Sequence, residues 1–217
     1  MAPTLERTSD TSPVSRFFKT RRGGPPSVGA MTFHEHLAAG AAEAARITSG
    51  VTPGQLGDRT PCPDYDTRAL ANHLVAYTGI GMELRARREP HPEDLATRDF
   101  TADPRWAAGY AEQLDRSVAA WADPAVWEGE IAGMPADAMG RMLFLELTLH
   151  AWDLARATGQ EYRLDDATAA ALLEVVGEQA EMYRQYKGFG EPVEVPGGAG
   201  DLERALALSG RDPRWTP

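Results

Sequence analysis

Between residues 32 and about 49, Phe33, Leu37, Ala41, Ala44, Ala45 and Ile47 recur at near-helical spacing among polar positions. Steps of three and four place such residues on one face of a helix. Thr32, with Glu35 three residues on, has the reciprocal N-terminal cap pattern, and Gly50, Pro53 and Gly54 end the run. A loop follows in which Pro61 and Pro63 can neither continue a helix nor donate to a sheet ladder. The pattern predicts a second helix over about 66–88, capped by Asp66, with Leu70, Leu74 and Tyr77 as its inward stripe. A third is predicted over about 104–121, with Asp103 as cap and Pro104 in the first turn. The fourth, about 137–158, is the most apolar segment and stops at Gly159. The fifth, about 165–187, opens on Asp165-Asp166, which suits the positive end of the helix dipole. A short strand over 193–195 and a short helix over 201–209 complete the reading. Strand signals are few. The expected fold is all-α: a four-helix bundle with a fifth C-terminal helix and a short tail.

The first thirty residues break this pattern. They are rich in Ser, Thr and Pro, then basic at Arg16, Lys19, Arg21 and Arg22, then Gly23-Gly24-Pro25-Pro26. No apolar signal core follows the charges, and Glu6 and Asp10 argue against an organelle transit peptide. Residues 1–30 therefore read as a disordered extension, and 31–217 as one folded unit.

Composition narrows the function. With 22 Lys plus Arg against 32 Asp plus Glu, the formal charge is −10, the wrong sign for a phosphate-backbone partner. No apolar run approaches the roughly 18 residues of a membrane span. The single cysteine, Cys62, cannot close an internal disulfide, so a cytoplasmic setting is expected. Neither nucleic acid nor membrane is an expected partner; a small molecule is, with the chain a monomer or homodimer. Nothing matches a nucleophile elbow, a phosphate-binding loop or a dinucleotide fingerprint, and Gly197-Gly198-Ala199-Gly200 lacks the preceding strand.

The informative chemistry lies on faces expected to be inward. His73 sits between Leu70 and Leu74 on the second helix. On the fourth, Met139, Met142, Leu143, Glu146, Leu149, His150 and Asp153 step by threes and fours along one face. At about 100° per residue, Glu146 and His150 are roughly 40° apart and one turn separated, so both reach one point. A carboxylate buried among leucines is costly unless paired or ligating a metal. Two His and one carboxylate, from His73, Glu146 and His150, would hold a divalent cation and leave positions open. Asp153 could accept the free imidazole N–H of a ligating histidine from the second coordination sphere. The plainer reading is a core histidine bonded to a carbonyl beside an ordinary helical Glu–His pair. Arg156 is expected either to pair with Asp153 or to meet the carboxylate of a bound cofactor or substrate. His34 and His36 are expected to be exposed, His91 lies in a proline loop, and Cys62 reads as a small buried hydrophobe.

At these residues the sequence resembles a known family. Thr60-Pro61-Cys62-Pro63-Asp64-Tyr65, followed by Leu70-Ala71-Asn72-His73-Leu74, is similar to the opening signature of the actinobacterial branch of the DinB/YfiT-like superfamily. The run from Glu146-Leu147-Thr148-Leu149-His150-Ala151-Trp152-Asp153 to Gly159 resembles its second signature. The closing Leu208-Ser209-Gly210-Arg211-Asp212-Pro213-Arg214-Trp215 matches the tail of one uncharacterised subfamily. The resemblance covers about residues 32–215, and the domain concerned is the metal-binding domain of mycothiol-dependent maleylpyruvate isomerase. It implies a DinB-like four-helix bundle with a divalent metal, zinc foremost and nickel, iron or manganese after it. The ligand positions fall on His73, Glu146 and His150. It further implies a low-molecular-weight thiol, mycothiol in actinobacteria, activated as a thiolate against a small electrophile in a transfer or isomerisation. A metal-binding bundle without catalysis, serving interaction or sequestration, is the alternative. One departure is that the isomerases carry a separate C-terminal domain, whereas about thirty residues follow the fifth helix here; this bears on the isomerase reaction and not on the metal site.

Overall fold

The computed structural model describes residues 32–217; the disordered arm expected over 1–30 lies outside the described residues. Helix α1 (Phe33–Ser49) starts at Thr32, whose hydroxyl accepts from the Glu35 N–H while the Glu35 carboxylate accepts from the Thr32 N–H. Its inner face, Leu37, Ala41, Ala44 and Ile47, is buried.

The second sequence helix is one rod in three parts: α2 (Thr67–His73), a π-helical segment (Leu74–Ile80) and α3 (Gly81–Ala86). Asp66 caps it by accepting from Ala69 N–H at 2.8 Å. The π segment opens directly after His73, and the Gly81 N–H reaches back five residues to the Ala76 carbonyl. Such widened turns concentrate at functional sites. No residue type specifies one, which is why the hydrophobic pattern predicted an ordinary helix here.

Helix α4 (Trp106–Ala120) begins two residues later than expected. The Asp103 carboxylate accepts from Arg105 N–H at 2.8 Å, so it closes the turn before the helix instead of capping it. A hairpin of β1 (Glu130–Ile131) and β2 (Met134–Pro135) turns through Ala132 (φ 51°) and Gly133 (φ 78°), the paired positive φ of a tight hairpin turn. The strand expected over 193–195 is absent. Val193 N–H donates to the Ala207 carbonyl at 2.9 Å, but among the described residues no second strand lies alongside to make a ladder.

Helix α5 (Ala136–Ala157) lies at the centre, burying Leu143, Phe144, Leu147, Trp152 and Leu154. It ends before Gly159, whose φ of +69° is open to glycine at little cost. Helix α6 (Asp166–Gln185), capped by Asp165, packs on α5 and α1, and α7 (Asp201–Leu208) packs on α6. The fold is all-α: α1, the α2–α3 rod, α4 and α5 form the bundle, with α6 and α7 added at the C-terminal end. Among the described residues no helix is long and apolar enough to cross a membrane.

Two histidines expected at the surface are structural. His34 Nε2 lies 2.9 Å from the Val118 carbonyl, tying α1 to α4. His36 is buried, its Nδ1 3.2 Å from the Thr168 hydroxyl, which itself donates to Asp165. Helix packing turns them inward, because the apolar face of α1 is broader than its leucine and alanine stripe suggested.

Asp66 positions the start of the rod that carries His73. Asp66→Ala is expected to cost about 1 kcal/mol and to lower the melting temperature by roughly 2–4 °C without loss of helicity, as read by circular dichroism.

Candidate metal centre

His73 is the last residue of α2, and Glu146 and His150 lie one turn apart on α5. The two helices bring three side-chain tips together. His73 Nε2 is 3.5 Å from Glu146 Oε2, His150 Nε2 is 3.4 Å from the same oxygen, and the imidazole centroids are 4.9 Å apart at 73°.

The outward atom of each tip is already engaged. The Tyr65 hydroxyl lies 3.2 Å from His73 Nδ1, and Tyr183 donates its hydroxyl proton to Glu146 Oε1 at 3.2 Å. Asp153, wholly buried, places Oδ2 3.0 Å from His150 Nδ1. An ionised carboxylate only accepts, so His150 Nδ1 carries a proton, and when the ring is neutral its lone pair faces inward at Nε2. His73 Nε2 is buried with no hydrogen-bond partner among the described residues. Two imidazole nitrogens and one carboxylate oxygen thus face a common point, within 4.8 Å of one another. Ligand atoms of a tetrahedral zinc, with bonds of about 2.0–2.1 Å, lie about 3.4 Å apart. The observed 3.4 and 3.5 Å separations fit a divalent cation.

The electrostatics explain how the cluster keeps its charges inside the bundle. Burial alone would push Glu146 up, but the close approach and charge of His150 and His73 hold it well below the usual carboxylate range. Burial opposes the charging of His150, yet Asp153 and Glu146 carry it up to about 9. Asp153 is pushed up by burial and held down by the Arg211 charge and His150. Arg211, its side chain 10% exposed, grips Asp153 with Nε to Oδ1 at 2.8 Å and Nη2 to Oδ2 at 2.7 Å.

Cys62, expected as a small buried hydrophobe, is only partly buried and lines the cavity at the triad. Its sulfur, His150 and Asp153 form a second group of ligand-type atoms within 4.8 Å. The Arg211 guanidinium already neutralises Asp153 there, so a second cation would meet a resident positive charge. Burial and the neighbouring Asp153 charge raise the Cys62 thiol, keeping it protonated.

Arg156 is not at this cavity. Its guanidinium donates to the Trp215 carbonyl and lies over the Trp152 ring, latching the C-terminal tail. The ion pair considered for Asp153 and Arg156 is made by Arg211 instead, because the tail after α7 delivers a guanidinium directly onto the buried carboxylate. Sequence reasoning missed Tyr65, Tyr183 and Arg211. Tyr65 and Arg211 stood inside the quoted signatures, but Tyr183 had no local signal. A cavity of about 180 Å³ opens beside the triad, lined among others by Cys62, Tyr183, Phe189 and Arg211. A groove of about 320 Å³ on the other side of Tyr65 and His73 is lined by Asn72, Tyr77 and Asp99.

The profile of the family described as mycothiol maleylpyruvate isomerase N-terminal domain matches residues 37–155, the segment that holds all three converging side chains. Two curated relatives from Mycobacterium tuberculosis are similar: uncharacterized protein Rv0738 of strain H37Rv and uncharacterized protein MT0763 of strain CDC 1551. Each is 27% identical over 150 residues, covering 68% of this chain and 78% of the relative. No solved structure matches at a significant level.

The raised His150 has a consequence in metal-free protein. Its charged form stabilises the fold fully below its ordinary pKa of 6.5, and that contribution is lost as pH rises through about 9. Chelator-treated protein is therefore expected to lose on the order of 3 kcal/mol between pH 6.5 and 10. Denaturant melts across that range should show the loss, and His150→Gln should flatten it.

Proposed function

The chain belongs to the mycothiol maleylpyruvate isomerase N-terminal domain family, and from that premise we propose that it is a cytoplasmic divalent-metal enzyme that directs a low-molecular-weight thiol, such as mycothiol, onto a small electrophile. The observation that carries this reading is the division of labour at the triad. Each of His73, Glu146 and His150 has its outer atom held by a neighbour and its inner atom turned to one shared point. Zinc is the metal that two imidazoles and a carboxylate suit best.

When bound, such a cation supplies Lewis acidity that lowers the pKa of a thiol or water at its open position. The rest is the work of the chain. His73 and His150 would supply neutral nitrogens and Glu146 one oxygen. Tyr65 holds the His73 ring from behind, and Tyr183 fixes the rotation of the Glu146 carboxylate. Asp153 keeps the proton on His150 Nδ1, while Arg211 keeps Asp153 ionised in a fully buried setting. Such outer partners typically change metal affinity 10- to 100-fold when removed, as a rough guide.

Access favours catalysis over sequestration. A structural metal site is closed, whereas a cavity of about 180 Å³ adjoins the triad here. It is smaller than the roughly 300 Å³ at which whole-ligand pockets begin. It would therefore admit the reacting ends and leave the bulk of a larger thiol outside, where the groove beyond Tyr65 has room.

Purified protein is expected to contain about one metal ion per chain by elemental analysis, and His73→Ala, Glu146→Ala and His150→Ala each to lose it while remaining helical. Full occupancy in all three variants would overturn the ligand assignment. Metal-loaded protein should conjugate electrophiles from a small panel only when mycothiol is supplied; equal rates with and without the thiol would remove its role. Arg211→Gln is expected to weaken zinc binding about tenfold or more in a competition titration, since it leaves Asp153 buried without its partner.

A further inference from the structure

Most polar side chains that line the cavity beside the triad are committed to the fold. Tyr183 gives its hydroxyl proton to Glu146. Each nitrogen of Arg211 is bonded, Nε and Nη2 to Asp153 and Nη1 to the Ser209 hydroxyl at 3.2 Å. His150 Nδ1 faces Asp153. Among the lining side chains, the Cys62 thiol and the Tyr65 hydroxyl remain with hydrogens to offer, and a thiol is the weaker donor.

Whether Tyr65 is free to donate is decided at His73. The Tyr65 hydroxyl oxygen lies 3.2 Å from His73 Nδ1 and makes no other hydrogen bond among the described residues. A neutral imidazole carries one proton and one lone pair. On Nε2 the proton would be a buried donor with no acceptor among the described residues. On Nδ1 it is matched at once: Nδ1–H donates to the Tyr65 oxygen, and the Nε2 lone pair joins the shared point of the triad. The hydroxyl of Tyr65 then accepts from His73 and keeps its own O–H uncommitted. With an ordinary phenol pKa of about 10, it holds that proton at neutral pH. Its ring centroid stands 5.1 Å from that of His73 and 6.0 Å from that of His150. Tyr65 and His73 line both the cavity and the groove of about 320 Å³, so the free O–H sits at their common border.

We infer that Tyr65 is the hydrogen-bond donor to an oxygen of the small molecule that reacts in this cavity, and that it binds this oxygen more tightly as negative charge gathers there. This rests on the reading of the triad as a metal centre. When a thiolate sulfur bonds to an electrophilic carbon, an electron pair of that carbon's π bond or C–O bond moves onto oxygen. A fixed O–H aimed at that oxygen is worth more in the transition state than in the ground state. The His73 N–H behind the hydroxyl polarises it and makes it the stronger donor.

The test uses the full chain loaded with zinc and two small probes in calorimetric titrations. Acetohydroxamate presents charged oxygen, whereas N-methylimidazole binds through one nitrogen and has no further acceptor. Tyr65→Phe keeps the ring and loses only the hydroxyl. It is expected to bind acetohydroxamate at least about tenfold more weakly and N-methylimidazole with unchanged affinity. Equal weakening of both probes would reduce Tyr65 to a support of His73, and unchanged acetohydroxamate binding would remove its role; either result overturns the inference. The wild type alone gives a second check. Heteronuclear NMR of the zinc-loaded protein should show His73 protonated at Nδ1, and an unprotonated Nδ1 would mean that the Tyr65 hydrogen is committed to the ring, which also overturns the inference. Protein that takes up no zinc would overturn the metal centre and this inference together, while zinc uptake with any of the other failures leaves the centre standing.

Discussion

A carboxylate set between two imidazoles inside a helical bundle is the constraint around which the rest of this structure is arranged. Glu146 rises from the most apolar helix of the chain, where an isolated charge would be expelled or neutralised. It stays ionised because His73 and His150 face it, and these rings are oriented because Tyr65 and Asp153 hold their far sides. The arrangement leaves one nitrogen, His73 Nε2, without a hydrogen-bond partner among the described residues.

The support for that cluster is assembled from distant parts of the chain. Tyr65 comes from the proline-bounded loop before α2, Tyr183 from α6, and Arg211 from the tail beyond α7. Arg156 and the Trp215 carbonyl fasten the same tail to α5. The C-terminal segment therefore does more than cover the bundle. It brings the positive charge that allows Asp153 to remain ionised with no exposed surface, and through Asp153 it sets the proton on His150. The π segment starts right after His73, so the rod widens next to the turn that carries this ring.

Two cationic groups of this interior contrast. Arg211 is paired at both prongs with Asp153, whereas Arg85 Nη1 has no hydrogen-bond partner among the described residues.

Much of this was legible along the chain. Helical periodicity gave the bundle, and caps such as Thr32, Asp66 and Asp165 marked helix starts that the structure keeps, because these depend on neighbours within a turn. The i,i+4 spacing of Glu146 and His150 made their convergence a matter of helix geometry alone. What spacing could not settle was everything decided across the bundle: that His73 meets them, that Asp153 chooses Arg211 over the nearer Arg156, that His36 turns inward and Cys62 reaches the cavity, and that the rod widens after His73. These outcomes depend on which helices pack together and where the tail docks. A sequence records local periodicity directly, but the pairing of buried charges is settled only when distant elements compete for the same desolvated space.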